Sequence, residues 1–388
     1  MIEFLSKADP GRLRGTALLR LDFNTEDNWR MEAAVPTIRF LLRTASKTVI
    51  ISHRGRPDPG LIGSDKKIGA ANAKLSLEKD AANLENLLKR KVMFLTFRPL
   101  GEAKKAIAAA PDGSVIVLEN IRFFAGEEKN DPKFARELAL LGDFYVNDAF
   151  AVSHRANASV SAVTKFLPSY AGLEMENEIK FLGRAIAKPK QPLVFILGGA
   201  KAGDKLGVIT YFKKKADWFL LGGGPANTML ALRGMDVKKS IRDTDPKSLA
   251  ALEQFALFGK IVLPQDFVWH KSAIVDFGPK TVRAFSQKVA AARMIAWSGP
   301  LGMIEVARYA KGTLALARAI AKNRRAFSVA GGGETVMFLK KHKLDKKFSF
   351  ISTGGGAMVD FLAGKKLPGI VALEGRALSR ERREALKR

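Results

Sequence analysis

Cationic and polar side chains gather where strand-like runs in the first half of this sequence end. Asp22 closes the run 16–22, Asn24 follows it, and Arg30 comes shortly after. His53 and Arg56 lie in S-H-R-G-R-P, Arg122 in E-N-I-R-F and Arg155 in D-A-F-A-V-S-H-R. Guanidinium groups match carboxylate and phosphate oxygens in a two-pronged fashion. Four arginines and a histidine on one edge therefore describe a pocket for a small, highly charged anion. The second half carries glycine at the equivalent places: Gly198-Gly199-Ala200-Lys201, Gly222-Gly223-Gly224, Gly299-Pro300-Leu301-Gly302, Gly331-Gly332-Gly333-Glu334 and Gly354-Gly355-Gly356. Without a Cβ, backbone N–H groups and helix N-termini can approach a phosphate or a flat base. One such loop is ordinarily just a turn. Their recurrence at strand ends predicts a nucleotide-binding second half.

These residues need a scaffold that brings strand ends together. Short apolar runs alternate with helical patterns along almost the whole chain, which reads as α/β with parallel sheets. The strand candidates are 16–22, 47–52, 91–95, 114–118 and 143–147, then 192–197, 217–221, 260–264, 293–297, 326–330 and 348–352. In an open parallel sheet the carboxyl ends of the strands share one edge, and ligands bind there. Asp131-Pro132 opens a helix over 132–141 that Gly142 closes, and 77–90 has i, i+3, i+4 apolar spacing. The stretch 173–187 is helical in pattern and lies between the two strand sets, as a connector and hinge. The expected division is 1–172, the helix 173–187, 188–372 and a tail 373–388, in which Ser379 could cap a last helix.

Composition narrows the classes further. The 388 residues, 47% hydrophobic and 27% charged, fit a globular protein of two or three domains at roughly 150 residues each. Cysteine is absent, which excludes a disulfide scaffold, thiolate metal sites and cysteine nucleophiles, and fits a cytoplasmic location. The start, MIEFLSKADPGRLRG, lacks the apolar run of a signal peptide, and no stretch approaches the ~18 apolar residues of a membrane span. Four histidines without H-x-x-x-H spacing do not make a zinc site. The formal charge of +27 attracts anions, yet there is no pattern of exposed stacking aromatics that would point to specific nucleic-acid binding.

Two different anion sites on two half-chains imply phosphoryl transfer across an interdomain cleft. Familiar nucleotide motifs are missing. No G-x-x-x-x-G-K-[ST] occurs, no G-x-G-x-x-G follows a strand, and Asp276-Phe277-Gly278 reads as a chance tripeptide without H-R-D-x-x-x-x-N.

The motifs taken together resemble the phosphoglycerate kinase family from about residue 15 to 373. They are R-L-D-F-N (20–24), A-A-V-P-T-I (33–38), S-H-R-G-R-P (52–57), L-E-N-I-R-F (118–123) and V-N-D-A-F (146–150) in the first half. The second half has G-G-A-K-A-G-D-K (198–205), L-G-G-G (221–224), G-P-K-T (278–281), W-S-G-P-L-G (297–302), G-G-G-E-T (331–335) and S-T-G-G-G-A (352–357). The resemblance implies two similar-sized domains, each a parallel sheet flanked by helices, joined by a hinge helix, with the tail returning to the first domain. The implied reaction moves the acyl phosphate of 1,3-bisphosphoglycerate to MgADP, reversibly, giving 3-phosphoglycerate and ATP, in a cytoplasmic monomer of glycolysis and gluconeogenesis.

By that resemblance Asp22, Asn24, Arg30, His53, Arg56, Arg122 and Arg155 hold the phosphoglycerate. Asp22 either binds a substrate hydroxyl or orients neighbouring arginines. Gly199, Lys201, Lys205, Gly223, Gly224, Ser298, Pro300, Glu305, Gly332, Gly333, Glu334 and Thr335 serve the nucleotide, and Glu334 its Mg²⁺. Arg30 and Lys201 are expected on either side of the moving phosphoryl. The chain departs from the family pattern in four places. Only five residues separate Asn24 from Arg30, and Ser298, Glu334 and Asn157 stand where asparagine, aspartate and histidine are usual. The competing reading is a catalytically weak homologue that acts as a basic anion- or nucleic-acid-binding protein.

Overall fold

The computed structural model describes residues 1–58, 70–96 and 99–374. Contacts divide the chain into two compact units, Met1–Ile179 with Lys366–Arg388, and Lys180–Lys365. The helix Leu173–Ala187 spans the boundary.

The first unit is built on six parallel strands in the order β3-β4-β2-β1-β5-β6. They are β1 (Thr16–Arg20), β2 (Lys47–Ile51), β3 (Val92–Leu95), β4 (Val115–Leu118), β5 (Phe144–Asn147) and β6 (Ser169–Ala171). The second unit repeats the plan in the order β14-β13-β12-β7-β8-β9. Its strands are β7 (Leu193–Leu197), β8 (Trp218–Leu221), β9 (Ile261–Val262), β12 (Met294–Ser298), β13 (Phe327–Gly331) and β14 (Phe350–Ser352). Between β9 and β12 an antiparallel hairpin pairs β10 (Phe267–His270) with β11 (Ala273–Phe277).

Both sheets are covered on two faces by helices, so their central strands are apolar without alternation. Every residue of Leu193–Leu197 is buried, as is every residue of Val115–Leu118. The core of the first unit joins Leu19, Ile50 and Val117 from the sheet to Ile38, Leu41 and Leu84 from helices. That of the second joins Val194, Ile196, Ile295 and Trp297 to Phe285, Leu316 and Leu339. Each such side chain contributes about 1.5–3 kcal/mol by leaving water. The helix Pro132–Ala139 starts as its residues dictate, with the Asp131 carboxylate accepting from the Lys133 N–H and proline at its first position.

In each sheet the strand order reverses beside the first strand, between β1 and β5 and between β7 and β12. Loops leaving two such strands diverge and open a crevice. The candidate side chains follow the carboxyl ends of the strands on both sides of these two places.

One reading needs correction. Residues 366–372 do not belong with the second half: the helix Pro368–Leu373 packs on β6 and on the turn Ala162–Lys165. Gly369 makes this docking close, for its N–H donates to the Ser153 carbonyl (2.9 Å) and a Cβ there would meet Ser153 and Val160. Asp276-Phe277-Gly278 forms no kinase loop, as expected, but its aspartate has a structural task. The Asp276 carboxylate is buried and accepts from the Gly312 N–H (2.7 Å) and the Thr313 hydroxyl (3.3 Å), tying β11 to the start of the helix Lys311–Lys322. The proposed last helix over 376–388, with Ser379, lies outside the described residues.

Candidate active site

In the first unit the ends of β1 and β2 place Asp22 and His53 side by side. Asp22 Oδ2 accepts from Arg30 Nη1 at 2.8 Å, and its Oδ1 accepts from the Asn24 N–H at 2.9 Å. Burial opposes ionisation of Asp22, but His53, Arg30, the Asn24 N–H and Arg20 outweigh it and hold the carboxyl below its ordinary value. His53 is 2% exposed, and burial holds its pKa well below the usual 6.5. The Asp22 charge resists that shift, while Arg20, Arg122 and Arg155 reinforce it. The imidazole is thus neutral. Arg20 Nη2 stands 3.3 Å from Nδ1, and a guanidinium only donates, so Nδ1 accepts and the proton sits on Nε2.

Asn24 Oδ1 accepts from the Gly55 N–H (2.8 Å) and Arg122 Nη1 donates to the Gly55 carbonyl (2.5 Å), so the loop after β2 is gripped from both sides. Arg122 also pairs with Glu128 at 3.3 Å. Arg155 is half-buried, and its Nε donates to His154 Nε2 (3.3 Å). Arg56 is exposed. Arg30 Nε is buried and has no hydrogen-bond partner among the described residues. Asp22, Asn24, Arg30, His53, Arg122 and Arg155 are therefore brought together, with most of their fixed contacts made to one another or to backbone.

Reading from spacing overlooked the layer beneath. Arg20, 1% exposed, donates through Nε to Ser159 Oγ (2.8 Å) and through Nη1 to the Leu21 carbonyl. Ser159 in turn donates to the buried Glu127 carboxylate from its hydroxyl (2.6 Å) and its N–H (2.9 Å). An arginine inside an otherwise apolar strand was the available signal. Arg54 was overlooked too: it clamps Asp80 with Nε (3.0 Å) and Nη2 (2.6 Å) while donating to the Phe23 and Thr25 carbonyls.

In the second unit the glycine loops interlock through backbone. Gly199 N–H donates to the Pro300 carbonyl (2.7 Å), Gly223 N–H to Leu301 (2.9 Å) and Gly224 N–H to Gly199 (2.8 Å). A Cβ at Gly224 would overlap the Ala200 carbonyl, and Gly299, at φ +88°, would overlap that of Gly198. Beside these loops a cleft of ≈ 370 Å³ opens, within the range of small-molecule sites. Of the expected residues, Gly199, Gly223, Pro300, Glu305 and Glu334 line it. Of its apolar lining, Ile274 and Val275 come from the overlooked hairpin, Ile241 from the segment after the helix Gly223–Leu232 and Met303 from the loop after β12.

Lys205 Nζ donates to Ser298 Oγ at 3.3 Å. Burial lowers the Lys205 pKa, against the pull of Asp204 and Glu334. Thr335 Oγ1, at the start of the helix Gly333–Lys341 beside Gly332, is buried and has no partner among the described residues. Gly224 is consumed in loop packing. Lys201 is exposed on its loop and does not line the cleft, so its expected role requires its side chain to swing inward.

The comparisons accord with this layout. The family model for phosphoglycerate kinase matches residues 14–365. The phosphoglycerate kinase of Dictyoglomus turgidum is 39% identical over 389 residues, covering 92% of this chain and 95% of that protein. That of Moorella thermoacetica is 40% identical over 385 residues, with the same coverage. Among solved structures, the Pyrococcus horikoshii phosphoglycerate kinase aligns with a TM-score of 0.84 and 30% identity, over 96% of this chain and 98% of that one. The Coxiella burnetii enzyme aligns with a TM-score of 0.79 and 31% identity, over 97% and 100%. A match that runs from the strand before Asp22 to the helix after the last glycine loop, on two six-stranded parallel sheets, leaves one assignment: this chain belongs to the phosphoglycerate kinase family.

Proposed function

We propose that this chain transfers the acyl phosphate of 1,3-bisphosphoglycerate to MgADP, reversibly, giving 3-phosphoglycerate and ATP. One observation carries the reading. The first unit ends its strands in a fixed group of arginines around a neutral histidine, and the second ends its strands in interlocked glycine loops beside a cleft. Phosphoryl transfer of this kind needs positioning and charge stabilisation more than covalent chemistry.

In this mechanism His53, Arg56, Arg122 and Arg155 bind the substrate phosphate and carboxylate, with His53 donating from Nε2 as a neutral group. Asp22 orients Arg30, whose unpaired Nε is available to the moving phosphoryl. Lys201 stands on the nucleotide side, and Gly332, Gly333 and the Thr335 hydroxyl face the phosphates. Because the two ligand edges belong to separate units, transfer requires them to be brought together and water to be excluded, with 173–187 as the hinge.

Magnesium fits the donor set. Magnesium takes hard oxygen ligands and commonly keeps several waters, so one carboxylate beside the phosphates suits it. Glu334, exposed at the cleft in the first turn of its helix, would hold it. Bound there, the ion would neutralise charge on the phosphate oxygens.

The alternative of a decayed anion-binding homologue is not favoured: the arginines, the histidine and both lysines are present. A coupled assay of ATP formation from 1,3-bisphosphoglycerate tests the proposal. Turnover is expected, and background rates would refute it.

A further inference from the structure

The first unit has a second cationic concavity, at the edge of its sheet away from Asp22 and His53. It encloses ≈ 540 Å³ and is walled by Arg12, Arg14, Lys104 and Arg136, over a floor that includes Leu140 and Phe166. Arg12 and Arg14 lead into β1, Asp143 directly precedes β5 and Pro168 directly precedes β6, so this is the amino-terminal edge of the strands. A five-residue strand at ~3.3 Å per residue puts roughly 17 Å of sheet between it and the residues after β1.

Four cationic side chains and one acid, Asp143, line the concavity. The Asp143 carboxylate is already tied down: its Oδ2 accepts from the Thr16 N–H at 2.9 Å, and Gly15, at φ +99°, lets the chain pass close to it. The cations come from three separate elements: the turn Pro10–Leu13 with the Arg14 that follows it, the helix Leu100–Ala109 and the helix Pro132–Ala139. Side chains on three elements converge on a ligand from several sides, as a single basic helix face does not. The apolar floor matters as well. Leu140 is 44% exposed and Phe166 half-buried, so a bound anion would be shielded from water on one side and feel stronger pairing than on an open surface.

We infer that this concavity is an anion-binding site for an oligophosphate, separate from both reactant sites. An oligophosphate presents several closely spaced charges to Arg12, Arg14 and Lys104 from two separate elements, where a single phosphate would reach fewer of them.

The test is a lysine-acylation footprint of the whole protein, read by mass spectrometry, with magnesium-free inorganic tripolyphosphate as the probe. Lys104 is expected to lose reactivity at least fivefold as tripolyphosphate is added, while Lys213 and Lys214 are not protected. The Arg12→Ser/Arg14→Ser variant should need about tenfold more tripolyphosphate for half-protection, the effect of losing a charge-assisted contact. Its kcat for ATP formation should be unchanged. Lys213→Ser/Lys214→Ser removes the same charge elsewhere and should leave the Lys104 midpoint where it is. The inference is overturned by absent protection of Lys104, by equal protection of Lys213 and Lys214, or by equal shifts in the two variants, which would reduce the effect to overall charge.

Discussion

Replacing Asp276 with asparagine should abolish a pH dependence that this one carboxyl imposes on the second unit. Burial raises the Asp276 pKa from 3.8 to about 6, although hydrogen bonds from Gly312, Phe277 and Thr313 work the other way. The folded chain therefore holds a proton at this site that the unfolded chain releases, chiefly between about pH 4 and 6. Stability from this group is present below that window and is lost as pH rises through it. The full change from 3.8 to about 6 corresponds to about 3 kcal/mol, of which about 2 kcal/mol falls between pH 4.5 and 7. Asparagine keeps an oxygen for the Gly312 N–H and cannot titrate. Asp148, also raised to about 6 by burial, is present in both proteins and cancels in the comparison. The measurement is urea unfolding across pH in a Trp29→Phe background. Emission then comes from Trp218, Trp269 and Trp297, all in the second unit. The variant should gain about 2 kcal/mol on the parent between pH 4.5 and 7. Parallel stability curves would refute the argument.

Arg30→Ala and Lys201→Ala should each lower kcat by roughly 10²-fold or more, the usual size of a charge-stabilising group, with little effect on unfolding. Wild-type turnover would remove that residue from the mechanism. Glu334→Gln should weaken use of MgADP far more than binding of metal-free ADP. An unchanged Mg²⁺ dependence would leave Glu334 as a helix-end charge contributing ~0.3–1 kcal/mol. Since burial keeps His53 neutral, the KM for 3-phosphoglycerate should show no histidine titration between pH 6 and 8. An inflection near 6.5 that vanishes in His53→Gln would contradict this.

The two-sheet architecture was legible because strands such as Leu193–Leu197 are buried on both faces and so read as unbroken apolar runs. Glycine at their ends marked the second site for a related reason: backbone approaches backbone there. The hairpin Phe267–Phe277 escaped notice because its turn uses Lys271 and Ser272 at φ +45° and +64°, not the asparagine or glycine that signals such a turn. β6 is only three residues long, and its place depends on pairing with β5. Arg20 was hidden by its setting, since nothing local tells whether an arginine in a strand points to solvent or, as here, to Ser159 and His53. The destination of 366–372 rests on contacts with residues some two hundred positions earlier, which periodicity does not encode.

The interlocked glycine loops divide the cleft proposed for the nucleotide into a part that resists change and a part open to it. Between Gly198, Gly224 and Gly299 there is no volume for even one methyl group, because each faces a carbonyl of a neighbouring loop. A substitution at one would push all three strand ends apart. The apolar lining is different: Ile241 is 54% and Met303 41% exposed, and both could be exchanged for other side chains without touching the sheet. Selection or design aimed at a different base, or at a bulky analogue, should therefore accumulate its changes at Ile241, Ile274 and Met303. The glycine-loop end would then be inherited unaltered by every variant with a new preference.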